Sequence, residues 1–175
     1  MNRSQFEHLI RAAADAVGVD ELVVVGSQAV LGQFPDAPPA LLRSMEADVY
    51  PLAQPDRSVE VDGAIGEGSR FHDTYGYYAH GVGPETAKAP RRWQDRLVPV
   101  AVTNPRTGTV VTARCLEIHD LVLAKCVAGR PQDVEFARVA LAERLARREV
   151  LDARVADLPI TADARRAVAA LLRTM

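Results

Sequence analysis

The sequence predicts a mixed α/β (α+β) chain, with a small sheet flanked by helices and a C-terminal helical segment. Three observations carry this. LVVVG (residues 22–26) is a continuous apolar run of strand length between two helical patterns. RLVPVAV and TVVTARCL (96–102 and 109–116) are strand-like runs joined by the turn TNPRTG, which reads as a hairpin. From Glu117 onward the apolar spacing is helical throughout.

The first element is a helix over 4–17. Phe6, Leu9, Ile10, Ala13 and Val17 recur at helical spacing, Ser4 is the expected N-cap and Gly18 the stop. LVVVG then reads as a strand buried on both faces. SQAVLGQF follows as a short helix with Ser27 at its cap, and FPDAPPALL as a Pro-rich loop. Residues 45–51 set Met45, Ala47 and Val49 against Glu46, Asp48 and Tyr50, a strand with one apolar and one acidic face. Residues 56–70 offer one short helix and a stretch holding Gly63, Gly66 and Gly68. TYGYYAHGV (74–82) reads as a Tyr-rich strand, with ordinary strand roles for Tyr75, Tyr77 and Tyr78, and ETAKAPRRW as a loop. After the hairpin, helices are expected over 117–128, 131–148, 152–157 and 161–174, the last opened by Thr161. The natural division is a core of 1–115 and a helical segment, 116–175, packed on it.

Composition narrows the class. The chain has 175 residues, 48% of them apolar and 25% charged, with a net charge of −2. Such averages exclude a disordered tail, a collagenous repeat and a disulfide-stapled miniprotein. No apolar run approaches the ~20 residues that span a bilayer. No secretory leader is expected at the start, and Cys115 and Cys126 are expected to be free thiols, which together place the chain in the cytoplasm. A net charge near zero argues against coating nucleic acid by bulk attraction, which leaves local basic patches to consider. Of the 21 basic residues 19 are Arg; only Lys88 and Lys125 are Lys.

Three groups of residues bear chemistry. Glu46 and Asp48, two apart on a strand, point to one face with Cα atoms about 7 Å apart. Such neighbours repel, so they suit either a solvated acidic face or a shared divalent cation of the Mg2+ type. Gly26-Ser27 joins a buried strand to a helix start, which reads as a plain turn and cap or as an anion-binding turn. Lys125 ends an apolar helix, and Arg130 and Asp133 open the next, so the three are expected at one corner, as salt bridges or facing an anion. Arg91, Arg92 and Arg96 flank Trp93, which either stacks on a nucleotide end or anchors its loop to the core. Arg138, Arg144, Arg147 and Arg148 read as a solvated helix face. Cys115, His119 and Cys126 lack zinc spacing. The glycines at 63, 66 and 68 do not follow a buried strand, so they are no dinucleotide loop.

VVVGSQAV with RSMEADVYP, followed by LVLAKCVAGRPQDVEFARVAL, resembles the minimal nucleotidyltransferases of the DNA polymerase β superfamily. In particular the chain looks like the AbiEii-type toxins and a related nucleotidyltransferase-like family of actinobacterial proteins, over about residues 5–145. The resemblance implies that fold and a set of roles. Glu46 and Asp48 would hold Mg2+ (or Mn2+), and Gly26, Ser27, Lys125 and Arg130 would bind the phosphates of an NTP. Asp133 would fix Lys125 or Arg130, so that Glu46, Asp48, Lys125 and Asp133 form the catalytic set. An acceptor hydroxyl would attack the α-phosphorus and release pyrophosphate. The implied acceptor is a tRNA 3′ end, the implied partner an antitoxin protein, and no membrane is involved. The chain departs from the pattern in its long spacing from Gly26 to the acidic pair and in Glu at the first acidic position. The family's third carboxylate, on a later strand, is also missing. TYGYYAHGV offers only His80, and Asp95 precedes the next strand. Two alternatives therefore stand beside the enzyme. One is a degenerate domain that binds nucleotide or a protein partner without turnover, and the other is a protein-adenylylating relative.

Overall fold

The computed structural model describes residues 1–175. Helix α1 (Arg3–Val17) is capped by Asn2, two residues before the expected cap Ser4. Asn2 and Gln5 cap each other, each side chain accepting the other's backbone N–H at 3.0 and 2.9 Å. This reciprocal pair satisfies two free donors, so Ser4 falls inside the first turn. Gly18, at φ 69°, closes the helix. Strand β1 (Glu21–Val25) follows, with Leu22 to Val25 fully buried.

Gly26 takes φ 68°, ψ −169°, and the chain turns at once into a 3-10 turn (Ser27–Ala29) and helix α2 (Val30–Gln33). Gly26, not Ser27, is therefore the cap, because its left-handed turn starts the helical segment one residue early. Strand β2 (Glu46–Pro51) lies after the Pro-rich loop, and helices α3 (Ser58–Ile65) and α4 (Arg70–Tyr75) follow. The expected strand over 74–82 shrinks to β3 (Tyr78–Gly81), because Thr74 and Tyr75 complete α4 and Gly76 caps it at φ 74°. The hairpin stands as β4 (Val98–Thr103) and β5 (Val110–Cys115).

The five strands form one mixed sheet in the order β3-β2-β1-β5-β4. β1 runs antiparallel to β2 and parallel to β5, and β2 runs parallel to β3. Two register facts position the site: Val25 faces Asp48 across β1 and β2, and Asp48 faces His80 across β2 and β3. Helix α1 packs across all five strands, α3 beside it over β2 and β3, and α2 against β4 and β5.

The rest is helical: α5 (Ile118–Ala128), α6 (Pro131–Ala142), α7 (Arg148–Val155) and α8 (Ala162–Arg173). Helix α6 stops six residues short of the expected 148. Arg144 adopts φ 58°, outside the helical region, and α7 begins at Arg148 instead of 152. One continuous core of 46 buried residues runs from Met1 to Leu172. No helix is long and apolar enough to cross a membrane.

A buried ionic network ties α7 and the 93–96 turn to α5. Asp120, fully buried, accepts from Arg96 Nε at 2.7 Å and Arg154 Nη1 at 2.9 Å. Glu117 accepts from Arg154 and from His119 Nδ1, whose Nε2 in turn accepts the Arg147 backbone N–H at 2.9 Å. Burial alone would raise the Glu117 carboxyl, but those hydrogen bonds and charges bring it down to about 2. A depressed folded-state carboxyl stabilises the fold fully above its unfolded value and loses that stabilisation as pH falls toward 2. Glu117→Gln is expected to cost roughly 2–3 kcal/mol at pH 7. Urea unfolding at pH 7 and pH 3 checks this, the gap between variant and parent narrowing at the lower pH.

Candidate functional site

Asp48 sits at the centre because of register. β1 and β2 are antiparallel neighbours, so the residue after Val25 lies against the Asp48 side chain. A Cβ on Gly26 would stand 2.0 Å from Asp48 Oδ2, so the carboxylate occupies the space any other residue would fill. Gly26 is thus required twice, for close approach and for a backbone conformation that side chains avoid. Gly26→Ala is expected to cost about 2–3 kcal/mol and to push Asp48 out of place. A fall in thermal midpoint with loss of any metal-dependent nucleotide binding checks it.

Glu46 opens β2 on the same face as Asp48. Its backbone N–H donates to Ser44 Oγ at 3.1 Å, and its Oε2 accepts from Tyr78 Oη at 3.0 Å. His80 Nδ1 lies 3.0 Å from Asp48 Oδ1. Burial first, then the Glu46 charge, pushes the Asp48 carboxyl upward; His80 and Lys125 oppose this. Both acids are half-buried, and β2 sets them between the turn at Gly26 on one flank and β3 on the other.

The cationic corner is built by the α5–α6 link. Gly129, at φ 67°, ends α5 one turn after Lys125, Arg130 caps α6, and Pro131 starts it where no N–H is needed. The link folds Asp133 back onto both cations. Its Oδ1 accepts from Lys125 Nζ at 2.9 Å and its Oδ2 from Arg130 Nε at 2.6 Å. Asp133 is fully buried, Lys125 is 12% exposed and Arg130 62%. Lys125 Nζ also stands 5.6 Å from the centre of the Phe136 ring. Burial would raise the Asp133 carboxyl, yet the hydrogen bonds from Arg130 and Lys125 outweigh it and hold it below the usual range.

Ser27, Glu46, Asp48, Lys125, Arg130 and Asp133 all line one cavity of about 320 Å³. Residues from the β1–α2 turn, β2, α5 and α6 therefore meet at this cavity, with Gly26 behind Asp48. The cavity also takes Arg43 and Ser44, just before β2, and Gln132 and Glu135 from α6. Sequence reasoning passed over these, and the RS of RSMEADVYP was the available signal. Tyr78 and His80 were also missed as partners of the acids. They emerge only when β3 is paired parallel to β2, which puts alternate residues of both strands on one face. Gln28 is the least legible of all. Fully buried, it donates from Nε2 to the Ser44 carbonyl at 3.1 Å, tying the segment before β2 to the turn, while its Oε1 has no partner.

Glu46 and Asp48 supply the anionic oxygens that a hard cation needs. Nowhere do three or more His, Cys, Asp or Glu side chains gather at metal-ligating distance. The acidic pair accordingly suits an ion that keeps water and phosphate oxygens as its other ligands, as Mg2+ does, and not a closed protein cage.

The remaining candidates resolve into structural roles. Trp93 is buried and anchors its loop; Arg96 pairs with Asp120 and Arg92 with Asp95. Cys115 and Cys126 are buried free thiols, pushed up to about 12 and about 11 by burial. Tyr75 belongs to α4, and Tyr77 is buried with its hydroxyl 2.7 Å from His8 Nδ1.

A family model described as a nucleotidyltransferase of unknown function (DUF6036) matches residues 5–167. No curated protein and no solved structure matches the chain.

Proposed function

The chain belongs to this nucleotidyltransferase family, and from that premise we propose that it transfers NMP from an NTP to the hydroxyl of an RNA, with a tRNA 3′ end as acceptor. The observation that carries this is the single cavity shared by the acidic pair, the turn at Gly26 and the Lys125–Arg130–Asp133 corner. Two carboxylates beside two cations cannot both face one simple ligand. A metal–triphosphate complex satisfies both, because it carries positive and negative charge in separate places.

Each residue then has a physical task. Glu46 and Asp48 would hold Mg2+ or Mn2+, and that ion, when bound, offsets charge on the phosphate oxygens around the reacting phosphorus. Ser27 donates its hydroxyl to a terminal phosphate. Lys125 and Arg130 neutralise the triphosphate, and Asp133 keeps both aimed into the cavity. The acceptor oxygen bonds to the α-phosphorus, the bond to the β-phosphate oxygen breaks, pyrophosphate leaves and the hydroxyl proton passes to solvent. Positioning and charge compensation are what such a transfer asks of a protein. A role as the toxin of a toxin–antitoxin pair, held in check by an antitoxin protein, follows from the AbiEii-like motif order.

Labelled NTP incubated with tRNA and Mg2+ or Mn2+ tests the reading. Transfer by the parent and none by Asp48→Asn is expected. No transfer with any of the four nucleotides under either ion would overturn it. A second reading has its own observation. The resemblance calls for a third carboxylate on a later strand, and the residue opposite Asp48 on β3 is His80. That favours a domain binding nucleotide or a protein partner without turnover. Calorimetric binding of metal and NTP with no product under any acceptor would select it. A nucleotide adduct on a protein side chain, seen by mass spectrometry, would select the adenylylating relative.

A further inference from the structure

Four arginines near the far end of α6 form a patch that the cavity chemistry does not use. Arg138 lies on α6 and Arg144 on the turn after it, and Arg147 and Arg148 begin α7. Together they line a groove of about 560 Å³. The chain leaves α6 before Arg144, which takes φ 58°, and enters α7 at Arg148, and all four arginines border one hollow.

Like Arg43 and Arg173 they carry no ion pair, and what distinguishes them is that four of them share one hollow. Arg57, Arg96, Arg130 and Arg154 are each paired with a carboxylate of the chain. None of Arg138, Arg144, Arg147 and Arg148 forms an ion pair; only Arg148 is tethered, donating Nη1 to the Leu172 carbonyl. Arg138, Arg144 and Arg147 are exposed, and Glu149 is the one carboxylate side chain in the lining. Four clustered cations with one carboxylate among them repel one another, and a ligand with several regularly spaced anions relieves that. The guanidinium fork matches phosphate oxygens two at a time.

Position completes the case. Gln132 and Glu135 line the reaction cavity, and Arg138 stands one turn further along the same face of α6, about 4.5 Å of rise beyond Glu135. One helix face thus runs from the cavity to the arginine groove. We infer that the groove binds the phosphate backbone of a single-stranded RNA segment and leads its end toward the cavity. The net charge of −2 agrees with a local grip, not a general attraction for nucleic acid. The inference rests on the transferase reading for its direction, and its test does not depend on turnover.

The experiment measures binding of a labelled single-stranded RNA oligonucleotide across a salt series by fluorescence anisotropy, without NTP. The parent is expected to bind with affinity that falls as salt rises. Arg138→Gln, Arg144→Gln and Arg147→Gln combined should weaken binding at least tenfold at 100 mM salt, and flatten the log–log salt slope by about 2, near 0.7 per lost phosphate contact. The matching Lys variant should keep most of that slope, and the thermal midpoint and NTP binding should not move. Arg148 is kept because it ties α7 to α8. Failure of the parent to bind RNA, or an unchanged slope in the Gln variant, overturns the inference. So does tighter binding of a poly-glutamate peptide of equal length, which would mark a protein partner. If the parent binds RNA through these arginines yet transfers no nucleotide, the groove stands and the transferase reading falls.

Discussion

Asp48→Asn is expected to remove metal-dependent triphosphate binding and to lower any nucleotide transfer by about 10³-fold or more, near 4 kcal/mol, while leaving the fold as stable as the parent. The substitution keeps the shape that fits against Gly26 and still presents an oxygen toward His80, 3.0 Å away. What it removes is charge. Burial and the Glu46 carboxylate both disfavour the Asp48 anion, pushing its carboxyl upward. Neutralising a group so placed relieves repulsion, so the metal-free variant should unfold at the same denaturant concentration or slightly higher. Calorimetry with Mn2+ and NTP, paired with urea unfolding, checks both halves. A clear loss of stability would instead make Asp48 a structural partner of His80.

Asp133→Asn carries the largest expected cost to the fold, about 3–5 kcal/mol. Asp133 is fully buried and answers two cations, taking Lys125 and Arg130 on its two oxygens. Asparagine keeps one acceptor and turns two hydrogens toward those cations. Arg130, more than half exposed, can turn to water, which moves the cost toward the lower figure. Lys125, 12% exposed, cannot. The carboxyl is held below its usual range, so its stabilisation is present above that range and fades as pH falls through the lowered value. The difference between parent and variant should therefore narrow in acid. The check is a lower midpoint in urea with an unchanged slope. A loss under 1 kcal/mol would mean the corner is not the rigid anchor described here.

The legible parts of the fold were those fixed by local pattern. Leu22 to Val25 read as a buried strand because four consecutive aliphatics have no solvent face, and the β4–β5 pair read as a hairpin from its apolar runs and turn. The Lys125–Asp133 pairing was also readable, since Gly129 and Pro131 dictate a tight link between two helices. Other features depended on contacts that sequence spacing does not encode. Asn2 displaced Ser4 as cap because Gln5 answered it. Thr74 and Tyr75 joined α4 because Gly76 could end that helix, and Arg144 broke α6 without a glycine or proline to announce it. Within the site, the acidic pair and Ser27 were visible as residue types. The contact between Gly26 and Asp48, the place of His80 opposite Asp48 and the clamp by Gln28 appeared only once strand register was known.

The central claim is that Glu46 and Asp48 share a divalent ion beside a triphosphate held by Ser27, Lys125 and Arg130. A crystal structure with Mn2+ and a non-hydrolysable NTP, read by anomalous scattering, tests it most directly. The account predicts a manganese peak in contact with both carboxylates and phosphate oxygens within hydrogen-bonding reach of Ser27 and Lys125. Manganese bound elsewhere, or a triphosphate seated outside this cavity, would contradict it.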